Sequence, residues 1–314
     1  MQFRTQINLK PQQNIIDYKS NVLLVGSCFT QNIGDKLSYY KFKNTINPFG
    51  ILFNPKAIEN LIVSALENRI YTKNELVFNN ERWHCFDSHS DFSNEDKKEV
   101  LTTINSALKQ TKKQLKTVSH IIITLGTSWV YRYNKTDDLV GNCHKISQKE
   151  FTKELLSVDE IVSSLENIIN SVKAINKNVT VIFTLSPVRH LKDGFIENNL
   201  SKAHLLTAID KVLDNDVNYF PAYEIMMDDL RDYRFYKKDM LHPNEIAVDY
   251  IWNKFVATWI NTSEKETMEK VEQIQKGLAH KPFNENSKQH QKFVKNLKQK
   301  IKILENTKGI KINF

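Results

Sequence analysis

Residues 21–29 read NVLLVGSCF, an apolar run that Gly26 ends and that two nucleophiles, Ser27 and Cys28, follow. A continuous Val/Leu run is typical of a parallel β-strand buried on both faces. A glycine at the carboxyl end of such a strand lets the backbone bend sharply, and α/β proteins place their chemistry at that edge of the sheet. The stretch therefore predicts a strand–helix turn at which either Ser27 or Cys28 could react.

Strand and helix patterns alternate along the next 230 or so residues, as in a doubly wound parallel sheet. Further strands are expected at 120–126, 179–187 and 217–222, with another at 40–47. Helices are expected at 30–39, 55–68, 94–116, 157–176, 197–214 and 244–260. Segments 69–93 and 131–156, rich in aromatic, polar and charged residues, are expected to be insertions that shape a binding cleft.

Composition indicates a globular chain that stays inside the cell. The 314 residues are 40% hydrophobic and 25% charged, and the amino terminus lacks an apolar core of signal-peptide length. No run reaches the roughly 18 apolar residues that a membrane span needs. Three scattered cysteines, Cys28, Cys85 and Cys143, fit a reducing compartment. We therefore expect a soluble cytoplasmic protein with no membrane contact.

Most of the positive charge lies at the carboxyl end. Residues 262–314 hold 12 Lys and 6 Glu, so they carry +6 of the chain's net +8. Their pattern predicts two helices, and the second has apolar residues at helical spacing: Phe293, Leu297, Ile301 and Leu304. No stacking aromatics accompany the lysines, which favours packing on the domain or on a second copy over nucleic-acid binding. We expect two domains, 1–261 and 262–314.

Asp239 and His242 stand three residues apart in DMLHPN, just before a predicted helix with Pro243 at its start. A carboxylate in this position can hold an imidazole by Nδ1 while Nε2 faces a nucleophile, as acyl transfer requires. The alternative is an ordinary helix entry, with a capping aspartate and a packed histidine.

Several ordered blocks resemble the GSCFA family, a branch of the SGNH (GDSL-type) serine hydrolase superfamily. They are GSCFTQNIG, NTINPFGILFNP, TLGTSWVY, GNCHK, TLSPVRH, GFIENNLSKAHL and DMLHPN, and they extend over roughly residues 1–260. The resemblance implies a flavodoxin-like three-layer α/β/α sandwich with a central parallel sheet, to which the C-terminal helices are an extension.

The resemblance also implies a serine esterase-type triad. Carried over by position, Ser27 is the nucleophile, His242 the general base and Asp239 its orienting partner. Gly50 matches the glycine whose N–H helps to form the oxyanion hole, and the N–H of Ser27 is a second donor. Cys28, at the start of a helix that lowers the pKa of an exposed thiol, is the alternative nucleophile.

The third block departs from the superfamily pattern. Where Gly-x-Asn-Asp is typical, this chain has Gly126, Thr127, Ser128 and Trp129, so the asparagine donor is missing. Ser128 or Thr127 could replace it through a hydroxyl. Loss of one oxyanion donor costs about 10²- to 10³-fold in rate in an enzyme built around it.

Five polar or aromatic residues in strand-end and insertion blocks are candidates for substrate binding, with structural hydrogen bonding or burial as the alternative. They are His84, Trp129, His144, Arg189 and His190.

Together with this resemblance, the residues predict a serine hydrolase or acyltransferase. By analogy with the superfamily, the expected substrates are small acyl esters, such as O-acetyl groups on carbohydrates. The resemblance implies neither a metal nor an organic cofactor. The alternative is a binding or scaffold module that keeps the fold without catalysis.

Overall fold

A computed structural model of the chain describes residues 5–308. The strands are β1 (Asn21–Gly26), β2 (Lys43–Ile46), β3 (Leu76–Asn79), β4 (Arg82–Cys85), β5 (His120–Leu125), β6 (Trp129–Tyr133), β7 (Asp138–Val140), β8 (Phe151–Leu155), β9 (Thr180–Leu185) and β10 (Val217–Tyr219). The helices are α1 (Cys28–Tyr39), α2 (Pro55–Leu66), α3 (Lys97–Leu115), α4 (Val158–Ile175), α5 (Phe195–Val212), α6 (Ala222–Glu224), α7 (Glu245–Trp259), α8 (Lys265–Ala279) and α9 (Lys288–Lys308).

A parallel five-stranded sheet forms the centre of the protein, in the order β2-β1-β5-β9-β10. Counted along the chain, these strands follow the 2-1-3-4-5 order of flavodoxin-like folds. Every strand and helix predicted for the α/β part is present, with boundaries shifted by at most three residues. The predicted fold class is confirmed.

The apolar run of β1 is continuous because helices cover both faces of the sheet. Leu23 and Val25 lie in the core shared with α2, α3, α4 and α5. Val22 and Leu24, whose side chains alternate with these, lie in the core shared with α1 and α7. The result is a three-layer sandwich.

The two insertions carry strands of their own outside the central sheet. Segment 69–93 contains the β3–β4 hairpin, and segment 131–156 contains most of the antiparallel sheet β7-β6-β8. These short strands were not predicted, because their sequences lack the long apolar runs of the central strands.

The C-terminal helices pack on the α/β layers. Val271 and Ile274 of α8 are buried in the same core as α1 and α7, together with Leu297 and Leu304 of α9. Both helices were predicted. The division into domains 1–261 and 262–314 stays a prediction, and residues 1–4 and 309–314 of these domains lie outside the described part of the chain. Within residues 5–308, no helix has both the length and the apolar character that crossing a membrane requires.

Candidate active site

The candidate site lies at the carboxyl ends of β1, β5 and β9. From β1 the chain moves to β2 on one side and later crosses to β5 on the other side. A reversal of this kind opens a crevice between the two strand ends, where open α/β sheets bind ligands. Ser27 and Cys28, which directly follow β1, occupy this position.

Gly26 fixes how the chain leaves β1. Its φ is +141°, and a Cβ placed on it would lie 2.2 Å from the carbonyl oxygen of Thr124 on β5. Its N–H donates to Oδ1 of Asn47 over 2.9 Å. Only glycine fits this turn, and it sets Ser27 as the N-cap and Cys28 as the first residue of α1.

Cys28, His242 and Asp239 form a connected chain of side chains. The Sγ of Cys28 lies 3.7 Å from Nε2 of His242, and Nδ1 of His242 lies 2.6 Å from Oδ2 of Asp239. With Nδ1–H donated to the carboxylate, Nε2 is free to accept a proton from the thiol. This is the nucleophile–base–carboxylate arrangement of acyl-transfer enzymes, with sulfur as the nucleophilic atom.

The turn before α7 prepares the carboxylate of Asp239 for this role. Its Oδ1 accepts the N–H groups of Leu241 and His242 over 2.9 and 3.0 Å. These backbone hydrogen bonds, with that of the His242 side chain, lower the pKa of Asp239 to about 2. Asp239 is therefore ionised at neutral pH and holds the imidazole in one orientation.

Opposing influences act on the thiol of Cys28. Burial raises its pKa above the ordinary value, whereas the charge of Lys202 and the N–H groups of Cys28 and Phe29 lower it. Burial prevails, so the resting group is a neutral thiol. Attack on a substrate therefore needs a base to remove the proton, and Nε2 of His242 lies next to it.

The side chain of Ser27 lacks the contact with a base that its predicted role as nucleophile requires. Its side chain is fully buried, and within the described chain its Oγ has no hydrogen-bond partner. Its N–H, predicted as an oxyanion donor, donates instead to the carbonyl of Thr124 over 3.0 Å. The geometry thus disagrees with the assignment of Ser27 as nucleophile, because the N-cap side chain is enclosed while that of the next residue meets His242.

The two other predicted oxyanion-hole residues have structural roles. The N–H of Gly50 donates to the carbonyl of Asn47 within a tight turn, over 2.8 Å. Its φ is +73°, and an added Cβ would lie 2.3 Å from Cβ of His89. Ser128 is fully buried and bonds through N–H and Oγ to Ser201 of α5. In this structure these groups are engaged in internal hydrogen bonds, and their role as oxyanion donors stays a prediction.

The first turn of α1 offers other donors. The N–H groups of Cys28 and Phe29 precede the first intrahelical hydrogen bonds, so the helix itself leaves them without an acceptor. Both lie close enough to the sulfur of Cys28 to lower its pKa. They are therefore backbone donors beside the sulfur of Cys28.

His84 and His144 lie inside the insertions, stacked at 4.6 Å between ring centroids. Both are buried. His84 bonds Ser93 Oγ and the Asn79 carbonyl, at 2.6 and 2.9 Å. His144 bonds the Cys85 carbonyl over 2.7 Å, and burial lowers its pKa to about 4. The rings connect segments of the insertions through these bonds, which favours the structural alternative, and a role in substrate binding stays a prediction.

Arg189, His190 and Trp129 follow the carboxyl ends of β9 and β5. His190 is partly buried, and burial, followed by the charge of Lys202, lowers its pKa to about 4. Trp129 Nε1 donates to the Glu197 carbonyl over 3.2 Å, so the ring is held against the start of α5. Arg189 and His190 stay candidates for substrate binding.

Lys202 was missed by the sequence analysis. It is 3% exposed and projects from the buried side of α5, where its Nζ donates to the Ser186 carbonyl over 2.8 Å. The signal was its helical spacing from Asn198, Leu205 and Ile209, which places a lysine on an inward face.

A separate cavity of about 610 Å³ lies between α2 and the two insertions. Its walls include Arg69, Tyr71, Asp87 and Tyr133, but neither Cys28 nor the Asp239–His242 pair. The insertions line this cavity, whereas Cys28, His242 and Asp239 do not, and their role in shaping a substrate-binding cleft stays a prediction.

The chain belongs to the GSCFA family. The family model described as "GSCFA family" matches residues 21–255, which include the whole Cys28–His242–Asp239 arrangement. A second model, "GSCFA domain protein, C-terminal domain", matches residues 271–312, which cover most of α8 and α9. No curated protein matches the chain.

Among solved structures, the chain is similar to an acetyl xylan esterase, Est2A, from the rumen bacterium Butyrivibrio proteoclasticus. The identity is 13% and the TM-score 0.34, over 78% of this chain and 64% of the esterase. The chain therefore spans less than two thirds of that protein. At this TM-score the similarity transfers no function.

Proposed function

We propose that this protein is an acyl hydrolase or acyltransferase of the SGNH type in which a thiol replaces the usual hydroxyl. Cys28 is the nucleophile, His242 the general base and Asp239 its orienting partner. The observation that carries the proposal is the 3.7 Å contact between Cys28 Sγ and His242 Nε2, backed by the 2.6 Å contact to Asp239. The flavodoxin-like strand order and the position after β1 support it.

The geometry supports a two-step reaction. Nε2 of His242 takes the thiol proton as Cys28 Sγ attacks the carbonyl carbon of an ester. The negative oxygen of the tetrahedral intermediate faces the N–H groups at the start of α1. As the intermediate collapses, the leaving alkoxide takes the proton from His242, and a thioester remains on Cys28. Water or another hydroxyl, deprotonated by His242, then attacks the thioester and releases the thiol.

Asp239 acts through His242 and not on the substrate. Its carboxylate fixes the tautomer that keeps Nε2 basic, and it stabilises the imidazolium that forms in each step. The two backbone N–H groups at Oδ1 keep the carboxylate in place while its other oxygen holds Nδ1.

We propose small acyl esters as substrates, including O-acetyl groups on carbohydrates. The transferred group ends on water in a hydrolase and on a hydroxyl in a transferase. The partly exposed side chains of Asp239 and His242, at 45% and 42%, leave the base open to an approaching acceptor.

A binding module without catalysis is the second candidate. The N–H groups of Gly50, Ser27 and Ser128 donate to acceptors within the protein. They are therefore not free to form the oxyanion hole that the family resemblance implies, which favours this candidate. In that case the 3.7 Å contact would be a packing feature, and Cys28 would not turn over an ester.

Turnover of p-nitrophenyl acetate by wild type and single variants decides between these functions. We expect Cys28→Ala and His242→Ala to lose at least about 10³-fold in kcat/KM. Ser27→Ala should keep activity within a few-fold. Circular dichroism would establish that each variant is folded. Loss confined to Ser27→Ala would restore the serine triad, and a folded wild type with neither turnover nor thioester formation would favour the binding module.

A further inference from the structure

Lys202 is a buried cation beside the proposed nucleophile. Its Nζ donates to the Ser186 carbonyl and lies 5.4 Å from the ring centroid of Tyr223. Over residues 5–308 the structure gives it no carboxylate within salt-bridge distance. Burial lowers its pKa to about 7. Burial thus favours the neutral amine, and a carboxylate placed beside Nζ would favour the charged ammonium.

Arg189 follows Ser186 by three residues, at the end of β9. It is partly buried, and none of the hydrogen bonds or ion pairs described for residues 5–308 involves its guanidinium. The other arginines of that range each have an acceptor: Arg69, Arg82, Arg132, Arg231 and Arg234. The arginine at the catalytic edge is therefore the exception.

The two cations and the thiol influence one another. The charge of Arg189 lowers the pKa of Lys202, and the charge of Lys202 lowers the pKa of Cys28. Lys237 adds to the positive side of this environment. The carboxylate of Glu224 raises the pKa of Lys202. Its Oε1 and Oε2 accept a hydrogen bond from the Tyr219 hydroxyl.

We propose that Arg189 and Lys202 form a subsite for a carboxylate on the substrate, next to Cys28. This inference rests on the proposed function and names its substrate class: an ester that carries a free carboxylate near the reacting carbonyl. A guanidinium binds a carboxylate through two parallel hydrogen bonds, and a buried ammonium adds a point charge. A singly charged group suits the site better than a phosphate dianion, because Glu224 already offsets part of the positive charge.

Alkylation of Cys28 tests the subsite without a known substrate. The rate constants for iodoacetate and iodoacetamide are measured separately on the full chain, with the modified peptide identified by mass spectrometry. Each reagent transfers its CH₂ carbon to sulfur and releases iodide, and the thiol proton is lost to His242 or water. Because both reagents need the same thiolate, their rate ratio cancels any change in the pKa of Cys28.

We expect wild type to have an iodoacetate-to-iodoacetamide ratio about ten- to a hundredfold above that of Arg189→Leu, as befits one or two hydrogen bonds to a charged group. Lys202→Met should lower the ratio as well, and Arg189→Lys should keep part of it. Arg231→Leu is the matched control, because Arg231 already pairs with Asp228, and its ratio should equal that of wild type.

The outcomes separate this inference from the proposed function. If Cys28 reacts with both reagents and the ratio is the same in wild type and Arg189→Leu, the carboxylate subsite is overturned while the nucleophile stands. If inorganic phosphate protects Cys28 better than succinate does, the subsite accepts phosphate and the carboxylate assignment is wrong. If neither reagent modifies Cys28, the proposed thiol chemistry fails together with this subsite. Should Lys202→Met not fold, Arg189→Leu still decides, because Arg189 is only partly buried.

Discussion

Nε2 of His242 lies 3.7 Å from the thiol of Cys28, whereas the adjacent hydroxyl of Ser27 is buried and, in the described chain, without a hydrogen-bond partner. The side chain of Cys28 thus contacts the imidazole of His242, whereas that of Ser27, one residue earlier, does not. The difference arises at Gly26, because its turn makes Ser27 the N-cap residue and Cys28 the first residue of α1.

Replacing Asp239 by asparagine should lower kcat by about 10²- to 10⁴-fold. The amide would present a donor or a weaker acceptor to Nδ1, so the basic tautomer of His242 would lose its support. Kinetics on p-nitrophenyl acetate would measure the loss. Asp232→Asn is the control, because Asp232 caps a neighbouring turn and pairs with Arg234. Equal activities of the two variants would remove Asp239 from the mechanism.

Replacing Lys202 by methionine should move the pH profile of Cys28 alkylation to higher pH. The ammonium favours the thiolate, so its loss leaves burial less opposed and raises the pKa of Cys28 further. Iodoacetamide rates between pH 6 and 10 would measure the shift. Lys211→Met, on the exposed side of the same helix, should leave the profile unchanged. A profile unaffected by Lys202→Met would contradict the electrostatic link to Cys28.

Acid should weaken the fold over a defined pH window because burial lowers the pKa of His120, His144 and His190 and so favours their neutral forms. His144 and His190 have pKa values of about 4 when folded, against an ordinary value of 6.5. Between these values the unfolded chain binds more protons, so the free energy of unfolding falls as the pH decreases from about 6.5 to about 4, by up to ~1.4 kcal/mol per pH unit per histidine.

Urea unfolding at several pH values would show this slope. His144→Gln should flatten it, whereas His280→Gln, at an exposed position, should not. A stability curve that is level across the window in wild type would contradict the buried neutral state.

Gly26→Ala should destabilise the protein by about 3 kcal/mol or prevent folding. The added methyl would meet the Thr124 carbonyl at 2.2 Å, on a backbone whose φ disfavours any L side chain. Gly126→Ala offers a matched comparison, because its nearest contacts are 3.2 Å away and its φ is not in the disfavoured range. Denaturant midpoints of the two variants should therefore differ clearly, and similar midpoints would contradict the turn geometry.

Ile274→Ala should cost about 2–4 kcal/mol if α8 is a stable part of the core. Ile274 is 1% exposed, whereas Leu278, one helical turn further on, is 48% exposed. Leu278→Ala should thus change the free energy of unfolding by less than about 0.5 kcal/mol. If Ile274→Ala is equally neutral, the C-terminal helices do not pack on the domain in solution.

The fold could be predicted because its signal is carried by residues close together in sequence. Uninterrupted apolar runs, such as residues 120–125, fit only strands covered on both faces. The strands of the insertions escaped prediction because β3 and β7 are short and half exposed, so their pattern differs little from that of a loop.

The candidate site was predicted in part. Asp239 and His242 were recognised because their contact forms within one turn. The choice between Ser27 and Cys28 depends on where α1 begins, and boundaries are the part of a helix that sequence specifies least. The hydrogen bonds between Ser128 and Ser201 depend on a contact between distant segments, which a sequence pattern does not contain.

The half-buried thiol of Cys28 has a consequence for oxidation. Peroxide attacks the thiolate far faster than the thiol, so a cysteine whose pKa is raised by burial is oxidised slowly. The proposed nucleophile, which depends on His242 to lose its proton, would thereby be shielded between turnovers. The proposed sulfur chemistry would then carry little of the oxidative liability that accompanies a permanently ionised cysteine.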